Sequence, residues 1–245
     1  MTSLTEEQWG FLRGYRLYHD LSGEAKGVTP RSLMSEEGMI SYLSDRMPLI
    51  GTDDLKVAAS LFLKRYAFTV ALGLMAMTYW NKRINLSPDH LLLTDGEKNG
   101  KWMPFFHLKN STVTECVSHQ DKVDYIQSIF QGHLTPLVQV LKKATGMSDA
   151  ILWENIAVYV FWIYENDDFL GDDRTRKERD EQFSELLSHQ NSTWFGRFKK
   201  NPLARYHTSK AKEEVRVRKT CCLSYMVEDG EQYRCKTCPQ TLCRK

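Results

Sequence analysis

Five of the six cysteines of this 245-residue chain fall within its last 25 residues. They form an adjacent pair, Cys221-Cys222, then after a gap of twelve residues Cys235-Lys236-Thr237-Cys238, with Cys243 beyond. Four thiolates gathered by two close-spaced pairs can surround a zinc ion or a two-iron cluster. Both need four soft anionic ligands converging from a short, loop-rich segment. Zinc ribbons usually place two residues between the members of each pair, so that a tight turn aims both sulfurs at one ion. Neighbouring side chains such as Cys221 and Cys222 tend to diverge, which suits a wider target.

The remaining 220 residues are long enough for one sizeable core, with 42% of the whole chain hydrophobic. The chain reads as a helical domain over residues 1–200 and a cysteine-bearing segment over 201–245. The start, with Glu6 and Glu7 and no basic stretch leading into an apolar run, does not read as a secretory signal. A cytoplasmic protein is expected, and reducing conditions there favour ligating thiolates over disulfides. The most apolar runs, Tyr66 to Trp80 and Ile151 to Tyr164, are short for a bilayer. No membrane span is expected, and peripheral association stays open.

Charge is unevenly placed. From Arg197 to Lys245 there are 13 Lys+Arg and 5 Asp+Glu, which leaves 20 and 26 of the chain's 33 and 31 for the body. A basic tail on an acidic body points to an anionic partner.

The expected fold class is mainly α, an α+β helical domain with a small antiparallel sheet at about residues 84–116. Thr5-Glu6-Glu7-Gln8 is a capping-box pattern opening a helix to about His19. A short helix at Ser35 to Asp45 should end before Pro48 and Gly51. Thr52-Asp53-Asp54 should cap, with acids in the first turn, a helix reaching Trp80. Its apolar residues point nearly all round, placing it at the centre of the fold with solvent near Lys64 and Arg65. Strands at His90–Thr94 and Lys101–Leu108 are bounded by Asp95-Gly96 and Asn99-Gly100, with Thr112-Val113-Thr114 as a third. Pro104 places its own strand at an edge. Beyond, Gly132 and Pro136 should kink or split a helix running from Val123 to Leu141, Gly146 should close it, and Ser148 should start the next to Glu165. A charged helix over Arg174 to His189 follows.

A basic stretch (Arg216, Arg218, Lys219), then Thr220-Cys221-Cys222-Leu223-Ser224-Tyr225 and, after a polar loop, Cys235-x-x-Cys238-Pro239, resembles the C-terminal motif of FhuF-type ferric siderophore reductases. The helical pattern from Leu134 to Glu165 is similar to the region these reductases share with hydroxamate siderophore synthetases, and Ser60 to Leu93 is a weaker match. The resemblance implies a [2Fe–2S] cofactor held by Cys221, Cys222, Cys235 and Cys238. It also implies one-electron reduction of Fe(III) in a hydroxamate or mixed citrate-hydroxamate siderophore. Hard oxygen ligands hold Fe(III) far more tightly than Fe(II), so the added electron loosens the complex. The gap between the pairs is two residues longer than is common in the family, a small closure cost. Arg216, Arg218 and Lys219 become candidate substrate contacts.

Other residues take plainer readings. Cys243 falls outside the motif as a spare thiol, and Cys116 reads as a small buried hydrophobe. His107, His119 and His133 are scattered without metal spacing. Trp102, Phe105 and Phe106 read as core before siderophore-pocket wall. The acidic run Asp167, Asp168, Asp172, Asp173 lacks a calcium-loop pattern. No nucleotide fingerprint is present, so electrons are expected from a separate ferredoxin or reductase. Two rivals stand beside this reading: a binding module with structural zinc that contacts nucleic acid through Arg216, Arg218, Lys219, Arg234 and Lys236, and a thiol redox protein using Cys235-x-x-Cys238.

Overall fold

The computed structural model describes residues 3–19, 27–169, 173–208, 215–228, 230 and 234–242. Cys243, Asp172 and most of the Gly/Ser-rich stretch 21–29 lie outside these.

The organising element is α3, Leu55–Trp80, started by Asp54, whose carboxylate accepts from the Lys56 and Val57 N–H groups. Nineteen of its residues are buried, which is what an all-round apolar helix requires. It packs against α6, Asp149–Glu165, and is flanked by α2, Glu36–Ile50, by α4, His119–Ile129, and by α5, Thr135–Thr145. It is long and apolar enough to cross a membrane, yet 83% of its most apolar window is buried within the fold. Helices α1, Glu6–Gly14, and α7, Asp173–Leu187, complete the body, and a short α8, Pro239–Leu242, follows the last described cysteine. The fold is mainly helical with small sheets, as the sequence led one to expect.

Two sheets accompany the helices. Strands β3, Leu91–Lys98, and β4, Lys101–Leu108, form a hairpin whose turn is Asn99-Gly100, both at positive φ (55° and 69°). Asp95-Gly96, expected to reverse the chain, instead runs inside β3 opposite Pro104 and Met103. β1, Leu17–Tyr18, adds in parallel to β4, so Pro104 lies in the middle strand and not at an edge. The proline is tolerated because β1 covers only Phe106 and His107, while the Pro104 carbonyl accepts from Arg16 Nη1 at 2.9 Å. The expected third strand, β5, Val113–Glu115, pairs with β2, Lys82–Ile84, in a sheet of its own.

Two helix boundaries differ from expectation for local reasons. The first helix stops at Gly14 because Arg16 turns to φ 73° and feeds the chain into β1. The second continues through Pro48 to Ile50, where Gly51 at φ 79° ends it. A proline in the last turn removes little of the ladder. The split expected at Gly132 and Pro136 is found: a π-helical turn, Phe130–Leu134, holds Gly132 and separates α4 from α5, where Pro136 sits in the first turn.

Trp102 and Phe106 lie in the core, Phe106 against Tyr66 at 5.0 Å, and Cys116 is buried with its thiol pushed up to about 11 by burial. Asp167 is paired with Arg176 and Arg179.

His133 in the π-helical turn is fully buried against the Tyr66 hydroxyl. Burial lowers its pKa from 6.5 to about 4. The unfolded chain therefore takes up this proton first, so stability is full above pH 6.5 and falls as the pH drops toward 4. The loss from this residue approaches about 3 kcal/mol. Urea unfolding from pH 7 to 4 should show a shallower decline for His133→Gln than for wild type.

Candidate metal centre

The cysteine segment is bound to the helical body by backbone groups seated on polar side chains of α3 and α6. Ser60 Oγ donates to the Cys222 carbonyl at 2.9 Å. Glu154 accepts from the Lys219 and Thr220 N–H groups, both at 2.6 Å, and from the Thr220 hydroxyl. Two carboxylate oxygens thus fix the backbone immediately before Cys221. Within the segment, the Arg218 N–H donates to the Thr237 carbonyl at 2.8 Å and the Cys238 N–H to the Cys235 carbonyl at 2.9 Å, closing the CxxC turn. The Glu228 N–H reaches the Gly51 carbonyl at the end of α2, anchoring the loop between the cysteine pairs.

These restraints bring the four thiols together as free cysteines in two facing pairs, Cys221 with Cys238 and Cys222 with Cys235. Cys222 and Cys238 are buried, while Cys221 and Cys235 are half-buried. Leu223 at φ 63° lets its own N–H face Cys221 Sγ at 3.4 Å. Thr237 Oγ1 lies 3.5 Å from Cys235 Sγ, Ser224 Oγ 3.4 Å from Cys222 Sγ, and Lys64 Nζ 3.4 Å from Cys222 Sγ. The hydrogen bond from Cys235 pushes the Cys222 thiol down against its burial, with Lys64, Ser224 and Arg218 adding to the effect. Cys235 is pushed up by that bond and by burial. Burial raises Cys221.

Among the described residues no three His, Cys, Asp or Glu side chains already surround a single point as one ion would require. The donor set is sulfur alone, in two pairs with N–H, O–H and ammonium groups aimed at the sulfurs. This fits a two-iron cluster, in which each iron takes two thiolates.

Lys64 and Arg65 are mostly buried and do not lie at a solvent face. Lys64 turns to Cys222, and the Arg65 guanidinium sits over Trp102 at 5.6 Å. Although burial works against its charge, Tyr159 and the sulfurs of Cys222 and Cys235 hold the Lys64 ammonium above its usual range. Arg216 makes a fork to Glu165 at 2.8 and 2.7 Å beneath the Phe161 ring. Arg218 is buried, with Nη2 donating to Asn155 Oδ1 at 2.7 Å and Nε 3.6 Å from Glu154. Lys219 and Lys236 are exposed, and Arg234 lies over Tyr225. A cavity of about 260 Å³ adjoins the centre, walled by Phe161, Trp162, Val217, Arg218 and Thr237.

Ser60, Lys64, Glu154 and Asn155 were not recognised as site residues from the sequence. Their signal is a polar residue inside an apolar helical run, as in Leu152-Trp153-Glu154-Asn155-Ile156. A buried carboxylate there needs a cationic or hydrogen-bonding partner from elsewhere in the chain.

The fold and this centre define a mainly helical protein with a C-terminal thiol site. Comparison with known families agrees over most of its length. The family described as ferric iron reductase FhuF-like transporter matches residues 60–214, and the FhuF 2Fe-2S C-terminal domain matches residues 218–240. The chain belongs to the FhuF family, and its cofactor is a [2Fe–2S] cluster. No curated protein matches it.

Proposed function

We propose that this chain is a cytoplasmic ferric siderophore reductase. It passes one electron from a [2Fe–2S] cluster held by Cys221, Cys222, Cys235 and Cys238 to siderophore-chelated Fe(III), and Fe(II) is released. The observation that carries this reading is the pairing of four thiols beside a half-buried ammonium, Lys64, and a buried guanidinium, Arg218. The cluster supplies a one-electron couple. The chain's own residues fix the sulfurs, exclude water on the α3 and α6 side, and place positive charge where negative charge accumulates on reduction.

Of the three cations first considered as substrate contacts, Arg216 and Arg218 are engaged by Glu165, Asn155 and Glu154. Lys219 faces solvent. Lys219 and Lys236 are therefore the groups that attract an anionic ferric siderophore, of hydroxamate or mixed citrate-hydroxamate type. The electron donor is a separate ferredoxin or reductase.

Anaerobically purified protein should be red-brown, contain iron and inorganic sulfide, and bleach on reduction. Addition of a ferric hydroxamate should restore the colour while a ferrous chelator reports Fe(II). Colourless protein with zinc, or reduced protein that leaves the ferric chelate untouched, defeats the reading. Replacing Lys64 by Met removes a cation 3.4 Å from Cys222 Sγ. The reduced form should lose about tenfold in the one-electron equilibrium, a fall of about 60 mV by mediated redox titration.

A further inference from the structure

We propose that Arg218 is a positioning residue that donates an N–H hydrogen bond to a sulfur of the cluster and thereby favours its reduced form. This rests on the reading that the four cysteines hold that cluster.

The guanidinium is 4% exposed, yet Nη1 and Nε have no hydrogen-bond partner. A buried charged donor left unmatched costs more than the about 1–3 kcal/mol of a neutral one, so an acceptor belongs beside it. Among the neighbouring side chains Glu154 approaches only Nε, at 3.6 Å, and none reaches Nη1. Both Glu154 oxygens already accept from Lys219, Thr220 N–H and the Thr220 hydroxyl. The adjoining cavity wall is apolar at Ala157, Val158, Phe161 and Val217, and of its polar groups Glu165 is taken up by Arg216 and His207 while the Tyr206 hydroxyl donates to the Ala150 carbonyl. What remains is the sulfur side. Arg218 is tied by its own N–H to Thr237, between Cys235 and Cys238. A chain of bonds also connects its head to Cys222. Nη2 donates to Asn155 Oδ1 at 2.7 Å, Asn155 Nδ2 donates to the Ser60 carbonyl and hydroxyl oxygens at 3.0 Å, and Ser60 donates to the Cys222 carbonyl at 2.9 Å. Because Asn155 Nδ2 is held by Ser60, Oδ1 must face Arg218, which fixes the plane of the guanidinium.

Four thiolates and two sulfides outweigh two ferric ions by two charges, and by three once an electron is added. A donor aimed at sulfur therefore binds the reduced form more strongly and raises the potential. Arg218 presents a planar fork that a lysine cannot reproduce.

The test is a redox titration of loaded wild type, Arg218→Lys and Arg218→Met, together with pulsed EPR of reduced protein grown on ¹⁵N-arginine. Arg218→Met should lose about thirtyfold in the one-electron equilibrium, about 90 mV, and Arg218→Lys should lose less. The wild type should show a guanidinium nitrogen coupling that Arg218→Lys lacks and Arg216→Lys keeps. A change below threefold in fully loaded Arg218→Met overturns the assignment. So does a wild-type spectrum without arginine coupling, which needs no variant to fold or load. Failure of the underlying reading is visible separately, as wild-type protein devoid of iron and sulfide.

Discussion

Cys222→Ala should emerge from anaerobic purification with at least tenfold less iron and inorganic sulfide than wild type, and without its visible absorption. Cys222 is the buried sulfur at which Lys64, Ser224 and Cys235 converge, and its carbonyl is the one Ser60 holds. Alanine keeps the backbone bond and removes only the sulfur, so the metal-free chain should unfold in urea within about 1 kcal/mol of wild type. Cys116→Ala is the internal control. That thiol is fully buried between β5 and α4 with its pKa pushed up to about 11, and its removal should leave iron content unchanged. Equal iron in Cys222→Ala and wild type would remove Cys222 from the ligand set.

The second large effect belongs to Glu154. Its carboxylate is 3% exposed and is matched by two backbone N–H groups, the Thr220 hydroxyl and, at 3.6 Å, the Arg218 guanidinium. Glu154→Ala strands a buried guanidinium and releases the backbone ahead of Cys221. Breaking one side of a buried pair costs about 3–5 kcal/mol. The urea midpoint should fall accordingly, and iron occupancy with it. Removing both charges is cheaper than removing one, so Glu154→Leu combined with Arg218→Met should recover part of the stability without the cluster's original potential. A double variant no more stable than Glu154→Ala would show that the carboxylate acts through the Lys219 and Thr220 N–H groups and not through Arg218.

What could be read in advance follows the range of the interactions. Local signals held: the Thr5–Gln8 capping box, a cap within Thr52-Asp53-Asp54, the Ser148 cap, the Asn99-Gly100 reversal and the Gly146 helix end at φ 67° all form as their residue types require. Partners distant in the chain did not. Nothing in Leu17-Tyr18 announces a β4 partner 89 residues on, and Val113 carries no mark that selects Ile84 over the hairpin. Lys64 misled for a related reason. A charged residue on an apolar helix signals solvent unless a counter-charge arrives from elsewhere, and here that counter-charge is a sulfur 158 positions later. The cysteine motif was legible because its spacing is a local property, and the family match over residues 218–240 spans it. The arrangement of Arg218, Asn155 and Ser60 was not, since three separate segments supply it.

The anchoring of the sulfur-bearing strand by Ser60, Glu154 and Asn155 also limits how modular that strand can be. Its grip lies in the helical body, so a peptide cut free at residue 215 would retain the four paired thiols and lose the scaffold that aims them. Transplanting the motif onto a foreign protein would demand carrying over the matching faces of α3 and α6 as well.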